Sequence, residues 1–363
     1  MNWPMTLLAY VARRFTLSVL IVVSVFAVLA FSIDVADMFR RTSERDVATA
    51  IVFSMSALKL PDLVQQLFPF AVLFGAIFSF AKLSRSHELV AARAAGVSAW
   101  QFLCAPLVVA ILMGAAMVTV YNPVAASLLA QYARLEARYI RGEASQLAVS
   151  ANGLWLRQGT ADDQAVIHAL RVAEQGEQLE GVLVIRYDGP DRFTGRIDAS
   201  SATLQDGLWL LGQAWVSGVD GRPVYQESYE LPTDLTPAQI EESFASPSTI
   251  SFWELPRFIA NAENAGFSAA RHRLYWYSLM CFPILLLAMV IVAASFSFRL
   301  TRLGGTSQLV VAGAMSGLAV YFLQDVTRAM GQTGILPVLL AAGAPSAVAI
   351  LLGVTFLFHE EDG

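Results

Sequence analysis

Lysine is almost missing from this chain: Lys59 and Lys82 are the only two in 363 residues. Neither lies in a Gly-x-x-x-x-Gly-Lys-Ser/Thr loop, so the chain is not itself a P-loop ATPase. Cysteine is equally scarce. Cys104 and Cys281 both fall in long apolar runs, where they read as small buried hydrophobes and offer no disulfide framework. The four histidines, His87, His168, His272 and His359, are far apart in sequence, and neither a His-Glu-x-x-His pair nor a Gly-x-Ser-x-Gly elbow occurs. Nothing therefore points to a metal, a cofactor or hydrolase chemistry. Charge is also in short supply. Asp, Glu, Lys and Arg make up 15% of the chain against roughly 25% in a soluble domain. The net charge of -5 denies a nucleic-acid partner the clustered positive surface it needs.

What the chain has in abundance is apolar sequence, 56% of all residues. Uninterrupted stretches without Asp, Glu, Lys or Arg occupy 15–33, 63–81, 94–133, 274–298, 303–324 and 329–358. Each is close to or above the roughly 20 residues that cross a hydrocarbon core, so six transmembrane helices are expected. The first run follows Arg13 and Arg14 but is longer than the h-region of a signal peptide, about 7 to 15 residues, so it reads as a true span. Residues 47–60 are shorter and end at Pro61, and read as an interfacial or helix-extending piece. Gly313 and Gly317, spaced small-x-x-x-small, and Gly304-Gly305 suit close helix packing better than phosphate binding. With the N-terminus inside, the cytoplasmic segments carry Arg13, Arg14, Lys82, Arg85, Arg93, Arg299 and Arg302. The other side carries Arg40, Arg41, Arg45, Lys59 and Arg328, so the positive-inside rule favours cytoplasmic termini.

Of the 29 acidic residues, 19 lie between Glu136 and Glu263, so two apolar blocks flank one polar insert. Within it, 146–150, 154–156, 165–167, 181–187 and 207–211 read as short strands. Asn152-Gly153, Asp188-Gly189, Asp206-Gly207 and Asp220-Gly221 punctuate them as turns, the pattern of an antiparallel β-sandwich domain. Leu128, Leu129, Tyr132, Leu135 and Tyr139 recur at helical spacing before it. After it, Ser251 with Glu254 resembles a capping box and Gly266 a helix stop. The expected layout is three spans over 1–133, the β domain with flanking helices over 134–270, and three spans over 271–363.

Ionisable residues near spans carry weight because they are costly there. Asp34, Asp37, Arg40 and Arg41 cluster just beyond the first run. They read either as an ordinary helix end at the head groups or as a site where Arg40 and Arg41 meet phosphate or carboxylate on an anionic lipid, which guanidinium forks suit. Asp325 and Arg328 read as interfacial charges. Between the second and third runs, the alanine-rich segment from Ser84 to Val97 reads as a short helix, either a solvated connector or a dock for a cytoplasmic partner.

The Ser84 to Val97 segment, the Ser251-Phe252-Trp253-Glu254-Leu255-Pro256 stretch leading to Gly266, and Arg299 to Gly305 together resemble the LptF/LptG family of lipopolysaccharide export permeases. The stretch Arg271-His272-Arg273-Leu274-Tyr275-Trp276 is more similar to the G subunit than to the F subunit. The resemblance spans the whole chain. It implies a membrane α-helical fold of six transmembrane helices with an inserted periplasmic all-β jellyroll-like domain, in a Gram-negative inner membrane. The implied partners are the paralogous F permease subunit, a cytoplasmic ATPase dimer that hydrolyses ATP, and a single-span accessory subunit with its own jellyroll. The implied cargo is lipopolysaccharide, extracted from the inner membrane and passed to a periplasmic bridge. By position, the segment of about 84–98 is then the coupling helix, with Arg85, Glu88 and Arg93 meeting the ATPase, and Arg40 and Arg41 line the lipid mouth. Asp34 departs from relatives that place a basic residue there. A non-transporting receptor or scaffold with a β domain is the competing reading. It lacks its signature, since only His359 to Gly363 follow the last run.

Overall fold

The computed structural model describes residues 5–43, 47–86, 88, 98–141, 146–150, 153–159, 163–173, 178–188, 192–205, 207–218, 221–233, 246–264, 268–300 and 306–361. Contacts divide the chain into two compact units. The first comprises Met1–Tyr132, Ser251–Trp253 and Arg273–Gly363, and the second comprises Ala133–Ile250 and Glu254–His272.

The helical unit opens with α1 (Met5–Thr42) and α2 (Thr49–Arg85), which pack against each other as a hairpin. Residues 47–60 are thus helix-extending rather than interfacial, and α2 runs on through Pro61 and Pro69. Next come α3 (Ala99–Ala116), a π turn (Met117–Tyr121) and α4 (Asn122–Glu136), which together make one helical rod from Trp100 to Ile140. A capping box starts α3: Ser98 Oγ accepts from the Gln101 N–H and the Gln101 side chain accepts from the Ser98 N–H, holding two otherwise orphaned donors. After the insert follow α5 (Leu255–Asn264), α6 (Ala270–Leu300), α7 (Thr306–Gln332) and α8 (Val338–Glu361).

Among the described residues, five helices are long and apolar enough to cross a membrane: α1, α2, the 100–140 rod, α6 and α8. The run expected at 303–324 is α7, whose 27 residues rise about 40 Å and end in the polar Gln324, Asp325 and Arg328. Leu17, Ile21, Val25, Val28 and Ile33 of α1 and Leu318 and Phe322 of α7 are exposed. An apolar surface of that extent fits lipid or a partner helix and not water.

The core of this unit is a mixed cluster from α1 (Phe15, Val19), α2 (Val72, Leu73, Ala76, Ile77, Phe80), α3 (Leu103, Ala110) and α6 (Leu286, Met289, Ala293). Small residues let the helices approach closely, as lipid-embedded packing requires. A Cβ added at Gly75 would lie 2.7 Å from the Val19 Cα, a backbone atom that cannot swing away.

The inserted domain is one seven-stranded antiparallel sheet in chain order: β1 (Gln146–Ser150), β2 (Gly153–Gly159), β3 (Asp163–Ala173), β4 (Gln178–Asp188), β5 (Arg192–Gln205), β6 (Leu208–Gly218) and β7 (Val224–Pro232). Strands β5 and β7 add to those expected from the sequence. One face buries Leu154, Leu156, Ile167, Val184, Ile197, Trp209 and Leu211. Along β4, β5 and β6 the buried face changes parity at one transverse line, between Leu179 and Val182, Ala199 and Ala202, and Leu211 and Ala214. Gly181 (φ 62°) and Gln213 (φ 53°) sit on that line in left-handed backbone, and such kinks bend a sheet. The bent sheet folds over itself. Buried Gln158 of β2 donates to the Pro232 carbonyl (3.1 Å) and accepts from Trp209 Nε1 (3.2 Å) and Thr233 Oγ1 (2.7 Å), bridging strands that share no ladder.

Three substitutions test this packing. Gly75→Ala is expected to lower the detergent-solubilised Tm by an overpacking cost of about 1–3 kcal/mol. Gly343→Ala, whose Cβ meets only Cys281 Sγ at 3.7 Å, should leave stability unchanged or raise it by up to about 1 kcal/mol. Gln158→Ala strands the Trp209 N–H and should cost the β domain about 2–4 kcal/mol, read as faster hydrogen exchange of β2 and β7. Unaltered exchange would contradict the bridging role.

Candidate functional site

The two ends of the α1–α2 hairpin hold the residues singled out by the sequence. At the end where α1 begins and α2 finishes, Glu88 lies 3.8 Å from the Arg14 guanidinium and accepts a 2.9 Å hydrogen bond from Ser86 Oγ. Arg14 also stacks over the Tyr10 ring, 4.9 Å from its centroid. Glu88 is therefore half-buried against α1. Arg85 ends α2 with its side chain exposed. Arg93 and the body of the 84–98 segment lie outside the described residues, as does Gly266.

At the other end, Arg40 and Arg41 both turn back on Asp37 of their own helix, at 2.6 and 2.7 Å. The structure brings these three together, as an i, i+3 and i, i+4 cluster on an exposed helix end. Each guanidinium has five N–H donors, and Asp37 engages only part of the exposed Arg40 fork, which retains donors for an anionic group. Asp34 is not part of that cluster. It is 6% exposed and pairs across the hairpin with Lys59 at 2.6 Å, while its second carboxylate oxygen has no hydrogen-bond partner among the described residues. The Lys59 ammonium also lies 5.5 Å from the Tyr132 ring centroid, within cation–π range. Sequence reasoning missed Lys59 as a site residue. The available signal was the hairpin itself, since Asp34 and Lys59 stand at similar heights on either side of a short loop.

Deeper on the same side is a polar knot that sequence reasoning also passed over. Asn122, buried at 1% exposure, reaches Gln65 Oε1 and Tyr275 Oη, each at 3.3 Å. Tyr121 Oη donates to the Pro61 carbonyl at 3.1 Å, and Gln66 donates to Asp62 at 2.7 Å. Helix α5 begins at Leu255, directly after Glu254; ahead of it the Phe252 N–H donates to Asn122 Oδ1 at 2.8 Å and the Trp253 indole to the Thr119 carbonyl at 3.1 Å.

Breaking one partner of a buried ion pair leaves an uncompensated charge and costs about 3–5 kcal/mol. Asp34→Ala is expected to destabilise the chain by that order, and the Asp34→Lys, Lys59→Asp exchange to recover part of the loss, by thermal denaturation in detergent. Equal losses in the single and exchanged variants would show that the pair does not join α1 to α2.

Comparison with known proteins identifies the framework on which these clusters sit. The family model described as lipopolysaccharide export system permease LptF/LptG matches residues 9–359. The lipopolysaccharide export system permease protein LptG of Escherichia coli K12 is 22% identical over 359 residues, 97% of each chain. The LptG protein of Haemophilus influenzae is 23% identical over 331 residues, 87% of each chain. With the match running from α1 to the end of α8, the chain belongs to the LptF/LptG family of lipopolysaccharide export permeases.

Proposed function

We propose that this chain is the G-type permease subunit of an ATP-driven machine that extracts lipopolysaccharide from the inner membrane and passes it to a periplasmic bridge. The observation that carries this reading is the family match over residues 9–359 on a chain with apolar helices and no nucleotide-binding loop. Moving a multi-acyl lipid out of the bilayer exposes apolar surface at roughly 0.8 kcal/mol per CH₂, so an external energy source is required. A separate cytoplasmic ATPase dimer supplies it. The paralogous F subunit completes the membrane pathway, and a single-span accessory subunit receives the lipid beside the β domain. Both termini lie in the cytoplasm and the β domain in the periplasm, in keeping with the basic-residue distribution.

Each cluster takes a role in this reading. Arg40 and Arg41 present guanidinium donors to phosphate or carboxylate of the glycolipid, with Asp37 holding the forks in place. Arg85, Glu88 and Arg93 meet the ATPase. The Arg14–Glu88 contact is what makes such docking productive: it joins the coupling segment to α1, which rises about 39 Å from Arg14 to the arginines at the far end. Closure of the ATPase dimer then moves α1 and narrows the lipid path.

Glu88→Lys should lower ATP-driven lipid release from reconstituted vesicles by tenfold or more while hydrolysis stays within about twofold. The exchanged pair, Arg14→Glu with Glu88→Arg, should restore part of the release. Unchanged transport by the Glu88→Lys complex would overturn this role.

A further inference from the structure

The chain passes between its two compact units in an unusual way. Ile250 and Glu254 belong to the β-containing unit, yet the three residues between them, Ser251–Trp253, belong by their contacts to the helical unit. Three contacts hold them there. The Phe252 N–H donates to Asn122 Oδ1, the Trp253 indole N–H donates to the Thr119 carbonyl, and the Phe252 ring stacks on Trp276 of α6, with centroids 6.4 Å apart and planes 24° from parallel.

The helix is built to receive this segment. Pro123 has no N–H, so the regular bond to the carbonyl four residues back cannot form, and that carbonyl belongs to Thr119. The π turn Met117–Tyr121 directly precedes it, a local widening that recurs at functional positions. The Trp253 indole fills the vacancy. Asn122 meanwhile divides its amide: the oxygen takes the Phe252 N–H, and the nitrogen lies 3.3 Å from both Gln65 of α2 and Tyr275 of α6. A buried amide must keep its partners, so a shift of α2 against α6 changes how that nitrogen is shared. It thereby changes the support under Phe252.

We propose that Asn122 is a positioning residue that links the arrangement of α2, α4 and α6 to the Ser251–Trp253 segment, so that helix movement is passed along the chain into the β-containing unit on both sides of it. This inference rests on the ATP-driven permease reading above. Apolar packing alone would hold the segment; the shared amide makes its position depend on two helices at once, as polar networks do when they specify one geometry.

The test uses the full complex with its ATPase, reconstituted with lipopolysaccharide, and two substitutions: Asn122→Ala, which removes the amide, and Trp253→Phe, which removes the indole N–H and shrinks the bicycle but keeps an aromatic ring. Subunit co-purification and ATP hydrolysis are expected to stay within about twofold. Lipid released per ATP should fall about tenfold for Asn122→Ala and about threefold for Trp253→Phe. Peptides spanning 250–256 should exchange hydrogen faster in Asn122→Ala, and in the unsubstituted complex their exchange should change on ATP binding. An unaltered release-per-ATP ratio in both variants, or hydrolysis and release falling in parallel, would overturn the proposal. Absence of ATP-driven release from the unsubstituted complex is a separate result that contradicts the permease reading itself.

Discussion

A polar group placed inside a bilayer must find its partner within the protein, and this constraint organises the helical unit. Several hydroxyls along the spans return to their own backbone, as Ser24 does to the Leu20 carbonyl and Ser32 to that of Val28. Groups that cannot do so are gathered: Asp34 with Lys59, Asp62 with Gln66, and Asn122 with Gln65, Tyr275 and the Phe252 N–H. The first and last of these join elements that apolar contacts alone would let slide. Where no polar group intervenes, small residues such as Gly75 bring backbones together, so dispersion contacts replace a hydrophobic driving force that lipid does not provide.

The same constraint separates the charges into two useful places. Cations and carboxylates survive at the helix ends, where water or head groups are near, and both ends of the α1–α2 hairpin carry them. One end ties Glu88 to Arg14; the other presents Arg40 and Arg41 from a shared carboxylate. A single long helix, α1, thus joins the two charged ends. The β domain obeys different rules, since its sheet has backbone ladders to hold it and side-chain bridges form where the fold brings non-neighbouring strands together, as at Gln158 and at Arg186 with Tyr229.

Much of this was legible in the residues, and the gaps have physical reasons. The apolar runs located the helices because length and lack of charge are what a span demands. The sequence left residues 47–60 open between a helix extension and an interfacial piece because proline normally marks a boundary, yet inside a bundle neighbouring groups can satisfy the carbonyls it frees. Strand β5 escaped because its buried positions shift phase between Ala199 and Ala202, erasing the alternation that marks a strand. Strand β7 escaped because it is almost wholly exposed and so carries no alternation at all. Arg40 and Arg41 announced themselves as charges beside a span. Lys59 and Asn122 did not, since their meaning depends on partners 25 and 57 to 153 residues away.

The chain is a multi-pass inner-membrane protein of the lipopolysaccharide export permease family, and its place in a working exporter depends on what it holds. The most direct test is to purify the tagged chain in mild detergent and identify bound proteins and lipids by mass spectrometry. Recovery of a nucleotide-hydrolysing subunit, a paralogous permease and lipopolysaccharide is the expected result. Recovery of the chain alone, or with a signalling protein and no glycolipid, would contradict the account and leave Glu88, Arg40 and Arg41 as ordinary interfacial charges.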